Sequence, residues 1–197
     1  MKLSRLTRSR GGRVALAAVP ATLAVSALMT GVAYGAVPVS FAVSGTPFKI
    51  SASHLHGEGF SQYSGVAQEK SGAVHPVAIA NIATASLADL CQSVVADTPL
   101  GKLGLLINAG GGGTPATASD LQIGMTDLQG DATFHDIRIG VDASSVITNA
   151  KGTAGDFAQD ASSLDIDNVK QTAWSTTAGT FTLSGMHLQL TNGQECF

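Results

Sequence analysis

Apolar and polar residues alternate in short bursts along most of this chain. Phe48-x-Ile50 is followed by Leu55, Val77-x-Ile79 leads to Ile82 and Leu87, and Leu103-x-Leu105-x-Ile107 forms a third burst. Leu121-x-Ile123, Ile137-x-Ile139-x-Val141, Leu164-x-Ile166 and Phe181-x-Leu183 continue the pattern, and Met186-x-Leu188-x-Leu190 closes it. Successive side chains of a strand point to opposite faces, so a period of two marks strands with one buried face. No run repeats at i, i+3, i+4, i+7 for three turns. Residues 84–96 (TASLADLCQSVVA) come nearest to a helix, and their β-branched content leaves that segment ambiguous. The pattern predicts a mostly β fold: a curved or rolled, antiparallel-rich sheet, with an irregular β-solenoid as the alternative.

Several bursts slip by one residue partway. Phe181 and Leu183 share one phase, whereas Met186, Leu188 and Leu190 take the next. A slip without a break predicts a β-bulge or tight corner, and Gly124 and Gly185 stand where the needed dihedrals are tolerated. The blocks DLQIGMTDLQGDATFHDIRIG and GTFTLSGMHLQL look like variants of one unit, at spacing too uneven for a fixed period. The clearest loop is 109–119, AGGGGTPATAS. Each half beside it is too short to hold a core alone, so residues 36–197 are expected to form a single domain.

The first thirteen residues carry Lys2, Arg5, Arg8, Arg10 and Arg13 and no acid. An apolar run from Val14 to Ala33 follows. A basic head, an apolar segment and small residues near its end describe a secretory signal over 1–35. Ala33 and Gly35 fit the positions before the cut, which gives a mature start at Ala36. The run is also long enough to span a bilayer as an uncleaved hydrophobic helix with its basic head inside. No Cys follows the run and no adjacent Arg pair precedes it, so neither a lipoprotein anchor nor the twin-Arg route is indicated. Either route puts the remainder outside the cytoplasmic membrane, secreted or anchored on its outer face.

Dividing the chain changes the meaning of its formal net charge of −3. Residues 36–197 hold six bases against all fourteen acids, a net −8. So acidic a domain has no electrostatic footprint for nucleic acid. Cys91 and Cys196 are the only cysteines. In an exported chain they are expected to form one disulfide, which ties the last residues to the body. Neither has the spacing of a zinc site.

Candidate chemistry is sparse. Residues 110–113 are glycines, but no Lys-Ser/Thr follows and Pro115 breaks the dinucleotide fingerprint. His54, His56 and Glu58 would share one face of a strand and could hold a transition metal, although Gly57 and Gly59 suggest a bend that scatters them. Asp120, Asp127, Asp131, Asp136 and Asp142 are dense but lack calcium-loop spacing, and turn-forming Asp residues account for them. No cofactor is expected. No G-x-S-x-G elbow occurs, and no triad is assigned among the serines and His54, His56, His75, His135 and His187. Ser184 stands near His187, in a segment that a strand or corner explains equally well.

Several segments together carry a resemblance: the Arg-rich head, FAVSGTPF at 41–48, FKISASHLHGEGF at 48–60, LADLCQSV at 87–94 and the near-terminal Cys196. With these the chain resembles a family of small exported proteins of Streptomyces and other actinobacteria, mostly uncharacterised, some labelled cholesterol esterase. The label implies steryl-ester hydrolysis, and the resemblance brings no catalytic residues with it. The expectation is an extracytoplasmic lipid-interacting protein that holds an acyl or sterol group on an apolar sheet face, with membrane contact through its N-terminal segment. The alternatives are a carboxylic-ester hydrolase with a Ser-His-Asp/Glu arrangement, and a structural envelope protein.

Overall fold

The bursts are strands of one sheet. The computed structural model describes residues 42–99 and 101–197, and among them it contains strands and no helix. In chain order these are β1 (Ala42–Val43), β2 (Phe48–Glu69), β3 (Val74–Ala88), β4 (Leu90–Thr98), β5 (Gly101–Ala109), β6 (Ala116–His135), β7 (Arg138–Asp142), β8 (Phe157–Thr177), β9 (Thr180–Thr182) and β10 (His187–Thr191). The long strands β2, β3, β6 and β8 pair antiparallel in that order, and β8 returns to β2, which closes a barrel. Beyond it, β4, β5 and β10 extend the sheet from one end of β2. β7 pairs with β8, β9 with β6, and β1 pairs parallel with the end of β2. The expected targeting segment, its expected cleavage point and the expected N-terminal helix lie outside the described residues.

The barrel is strongly staggered. Followed through paired residues, Phe48 leads to Ala173, then Met125, then Ala78, and back to β2 at Ser64, sixteen positions beyond residue 48. Stagger and tilt are linked, so four strands closing with this offset must tilt steeply and bend.

The bends fall on two lines. On the first, buried positions jump by three: Ala52 to Leu55, Ile166 to Val169, and Leu87 to Leu90. Asn168 (φ 56°) and Asp89 (φ 50°) adopt left-handed backbone there, and Ser53 between them donates to Asp89 Oδ2 at 2.7 Å. On the second, the jumps are Ala161 to Leu164, Ile82 to Ala85 and Ala118 to Leu121. Gly59 (φ 66°), Asp120 (φ 48°) and Asp136 (φ 52°) take the left-handed positions, and Ser162 donates to Asp136 Oδ2 at 2.9 Å. Asp, Asn and Gly are the residues that tolerate this conformation. Slips such as those after Ala52, Ile82 and Ile166 are these bends, whereas the slip between Leu183 and Met186 is the turn from β9 to β10. Gly124 lies at a register shift between β6 and β8, and Gly185 (φ 63°) turns the chain from β9 to β10.

Phe60, Leu55, Ile82, Leu87, Leu121, Ile123, Leu164, Ile166 and Val169 fill the interior, with many alanines between them. At Gly57 a Cβ would lie 2.6 Å from Leu164 Cδ2 and 2.7 Å from Ile82 Cγ2. Gly57 thus has a packing cause: side chains of the two neighbouring strands fill the space a larger residue would need. The inside is a packed core. One end is capped by the loop after β7, where Ala143 and Val146 pack on Tyr63 and Ala158. There Arg138 donates twice to buried Asp160, at 2.8 and 2.6 Å, and Ile147 N donates at 2.8 Å. Those bonds hold the Asp160 carboxyl below the usual carboxylate range.

Three local expectations need correction. Residues 84–96 are strand, the end of β3 and most of β4, with Asp89 as the kink; cross-strand pairing outweighs their weak helical preference. The loop at 109–119 shrinks to 110–115, because Ala109 ends β5 and 116–119 open β6, with Ala116 fully buried. Closed antiparallel pairing replaces the solenoid alternative. Cys91 and Cys196 are joined, with Cα atoms 5.8 Å apart. The tail is further held by Lys49, which donates to Glu195 Oε2 and to the Phe197 carbonyl, both at 2.9 Å.

Candidate functional site

Between the two bend lines each strand contributes a short straight segment with apolar residues inward and polar residues outward. β2 presents His54, His56 and Glu58, while Leu55 and Gly57 face in. The bend expected at Gly57 and Gly59 does not scatter them: β2 runs through both, and only Gly59 is kinked. β8 presents Ser163, Asp165 and Asp167; β3 presents Thr84 and Ser86; the start of β6 presents Thr117 and Ser119; β9 presents Thr180 and Thr182. Pairing aligns them in two rows. One runs Thr133, Asp165, His56, Ser86, Thr117, Thr182; the other runs His135, Ser163, Glu58, Thr84, Ser119, Thr180. Every member of both rows is polar.

The rows divide into two chemistries. On the β6–β8–β2 side, three imidazoles surround Asp165. His56 donates from Nδ1 to Asp165 Oδ1 at 2.8 Å, His54 Nε2 lies 3.5 Å from the same oxygen, and His135 Nε2 lies 3.7 Å from Oδ2. His54 also donates from Nδ1 to Asp167 Oδ1 at 2.7 Å, and His56 Nε2 lies 3.2 Å from Glu58 Oε1. Both nitrogens of His56 therefore face carboxylate oxygens, and only the imidazolium can donate from both. The hydrogen bond to Asp165 raises the His56 pKa above its ordinary 6.5, outweighing partial burial, with Glu58 adding to the rise. The same bond, helped by the charges of the three imidazoles, lowers the Asp165 carboxyl below 3.8.

On the β2–β3–β6–β9 side lies a surface recess of about 450 Å³, lined by Thr84, Ser86, Thr117, Ser119 and Thr180 with His56 at its rim. The sequence alone points to His54, His56, Glu58 and His135 but not to Asp165 or the hydroxyls. The signal for them was present as polar-x-polar steps: T-A-S at 84–86 and again at 117–119, T-F-T at 180–182, and D-I-D at 165–167. Such steps look like any solvated strand face until pairing puts them side by side.

The remaining candidates are dispersed. His75 donates to Glu69 at 2.8 Å and stacks on Trp174 at 3.5 Å between ring centroids. Ser184 sits in the turn before β10, its carbonyl accepting from Gly110 N at 2.8 Å, and His187 opens β10. Asp120 and Asp136 are kink residues, and Asp142 accepts from Ser144 N and Gly155 N. Among the described residues no group of three or more His, Cys, Asp or Glu is arranged to hold a metal ion, so the His54, His56 and Glu58 set is seen as an ion-pair cluster with Asp165 and Asp167.

The second distinct surface is the extension. Its paired residues Val94–Leu105–Leu190 and Gln92–Ile107–Leu188 share one face, together with Ala96 and Leu103. That face continues the barrel interior, since Leu90 and Ala109 at its inner end belong to the core. Exposure rises along it from 2% at Leu90 to 70% at Leu190, and the pairs hold no charged residue. The opposite face is closed by the tail: Cys196 N donates to Ser93 Oγ at 3.0 Å, and at Gly104 a Cβ would lie 3.3 Å from Gln194 O.

Fold and surface together define an exclusively β class among the described residues: a closed four-stranded antiparallel barrel with a disulfide-tied sheet extension. Residues 44–197 match the family of unknown function DUF6230, and the chain belongs to that family. No curated protein and no solved structure matches it significantly.

Proposed function

We propose that this is an extracytoplasmic lipid-interacting protein, and that acyl chains or a sterol are held on the open face of the β4–β5–β10 extension. The observation that carries the reading is the uncharged apolar ramp from Leu90 out to Leu103, Leu188 and Leu190, with exposures of 48%, 49% and 70% for the last three. Covering a half-exposed leucine recovers roughly half of the ~1.5–3 kcal/mol that full burial gives, and a sheet face with several such residues is an interaction surface. The barrel inside is filled by its own side chains, so the apolar contact is placed on the extension. The net −8 of residues 36–197 disfavours anionic headgroups, which leaves neutral lipid or sterol ester as the occupant. An apolar run at 14–33, cleaved or retained, delivers the domain to the outer side of the membrane on this reading.

The test is mass spectrometry of lipids extracted with protein purified from its own cell envelope, paired with co-sedimentation on phosphatidylcholine vesicles with and without cholesterol. Neutral lipid should accompany the native chain, and L188S/L190S should remove it. Lipid-free protein, or vesicle binding unchanged in the double variant, rejects the reading.

A second reading is favoured by one observation: His56, bonded to Asp165, stands at the rim of a recess that also contains Ser86. Asp165, His56 and Ser86 are cross-strand neighbours in that order, as a hydrolase of the cholesterol esterase type would require. His56 Nε2, however, faces Glu58 Oε1 where a base would face a hydroxyl. Turnover of a short soluble ester that falls about 10³-fold or more in S86A, with the fold intact, would establish this reading over the first.

A further inference from the structure

We infer that the hydroxyl-lined recess on β3, β6 and β9 is a binding site for a neutral, polyhydroxylated ligand, such as a segment of glycan chain. The inference stands on surfaces that the lipid reading does not use. Thr84 and Ser86 on β3, Thr117 and Ser119 on β6, and Thr180 and Thr182 on β9 form three hydroxyl-x-hydroxyl steps. Pairing matches Ser86 to Thr117 to Thr182, and Thr84 to Ser119 to Thr180. Six hydroxyls thus occupy a lattice of two rows and three columns. Neighbouring strands lie about 4.7–4.9 Å apart and alternate residues roughly 6.4–6.8 Å apart.

The lattice is concave and unspent. Five of the six side chains line the open recess of about 450 Å³. Some other surface hydroxyls, Ser53, Ser144 and Ser162 among them, are engaged within the protein. Each of the lattice hydroxyls offers one donor and two acceptor positions. A purely apolar ligand would leave those groups unpaired, at a cost. A ligand with its own hydroxyls exchanges water for matched partners.

The floor and flank narrow the class further. Threonine methyls stand beside the hydroxyls on this face, so the surface offers both C–H and O–H groups, as a sugar ring does. Glu58 and Asp165 continue the same two rows on the neighbouring strands. His56, with carboxylates at both ring nitrogens, itself lines the recess, so its charge is offset by theirs and no net positive charge draws a phosphate- or carboxylate-bearing ligand.

The experiment uses the disulfide-bonded domain and three named probes: cellohexaose, chitohexaose and maltohexaose, each titrated while backbone amide resonances are followed. At least one probe should give saturable shifts centred on Thr84, Ser86, Thr117 and Ser119. Replacing Thr117 by valine, which keeps shape and removes the hydroxyl, should weaken that probe at least about tenfold. If T117V fails to fold, Thr84→Val on the exposed side of β3 serves the same purpose. No saturable shift with any probe, shifts that map elsewhere, or equal affinity in the valine variant overturns the inference. So does tighter binding of a sulfated or uronic-acid oligosaccharide at the same amides. L188S/L190S should leave glycan binding unchanged, so failure of this site and failure of the lipid face are read separately.

Discussion

The barrel belt and the β4–β5–β10 extension are built from the same alternating strands, yet they face the solvent in opposite ways. In the belt the apolar side of every strand points into a closed core, and the outer side carries two unbroken polar rows. In the extension the side continuous with the core is open, and the tail covers the other side. Closure makes the difference. A barrel buries its inward face against itself, whereas three strands running off its rim have nothing opposite them. An apolar period of two therefore means core in one region and exposed surface in the other.

If the extension depends on its tail, cutting the tether should produce the largest effect. C91S/C196S removes a link that closes 105 residues of sequence, worth on the order of 4–5 kcal/mol in the chain-entropy picture. Chemical denaturation should show a loss of that size, with faster amide exchange on β4, β5 and β10 than on β2 and β8. Uniform exchange across both regions would mean that they unfold as one unit.

Overpacking probes the barrel side. Gly57→Ala places a methyl against Leu164 and Ile82 at distances that require movement, so a loss of about 1–3 kcal/mol is expected from denaturant midpoints. A neutral result would show that the barrel wall yields where the extension was taken to be the softer part. The apolar face should behave in the opposite sense. L188S/L190S changes exposed residues and should alter stability by no more than about 0.5 kcal/mol per site, while reducing vesicle binding. A large destabilisation would mean that the open face supports the fold.

The smallest effect sharpens the polar side. His56 has a raised pKa, so its contribution is complete below pH 6.5 and fades as pH rises through the folded value. Asp165 has a lowered pKa, so its contribution is complete above 3.8 and fades as pH falls through the folded value. The pair is strongest between those limits. Thermal melts from pH 4 to 8 should show a gentle decline toward pH 8 that His56→Gln flattens. An identical slope in the variant would assign the decline to groups other than His56.

By itself the sequence determined that the chain is β-rich, that strands carry one apolar face, that bends interrupt them and that two cysteines pair. Each follows from local chemistry: period two from strand geometry, bends from Asp, Asn and Gly that tolerate left-handed backbone, and pairing from two cysteines that lack metal-site spacing. Only the tertiary structure decided the rest. TASLADL, which reads as a possible helix, is strand because β2 and β6 pair on either side of residues 84–87. His56, Asp165, Ser86 and Thr117 lie far apart in the chain and meet through a sixteen-residue stagger that no local pattern encodes. Leu105 and Leu121 occupy equivalent places in alternating bursts, yet one lies on an open extension and the other inside a closed barrel. Alternation fixes which side of a strand is apolar; only the pairing of distant strands fixes what that side meets.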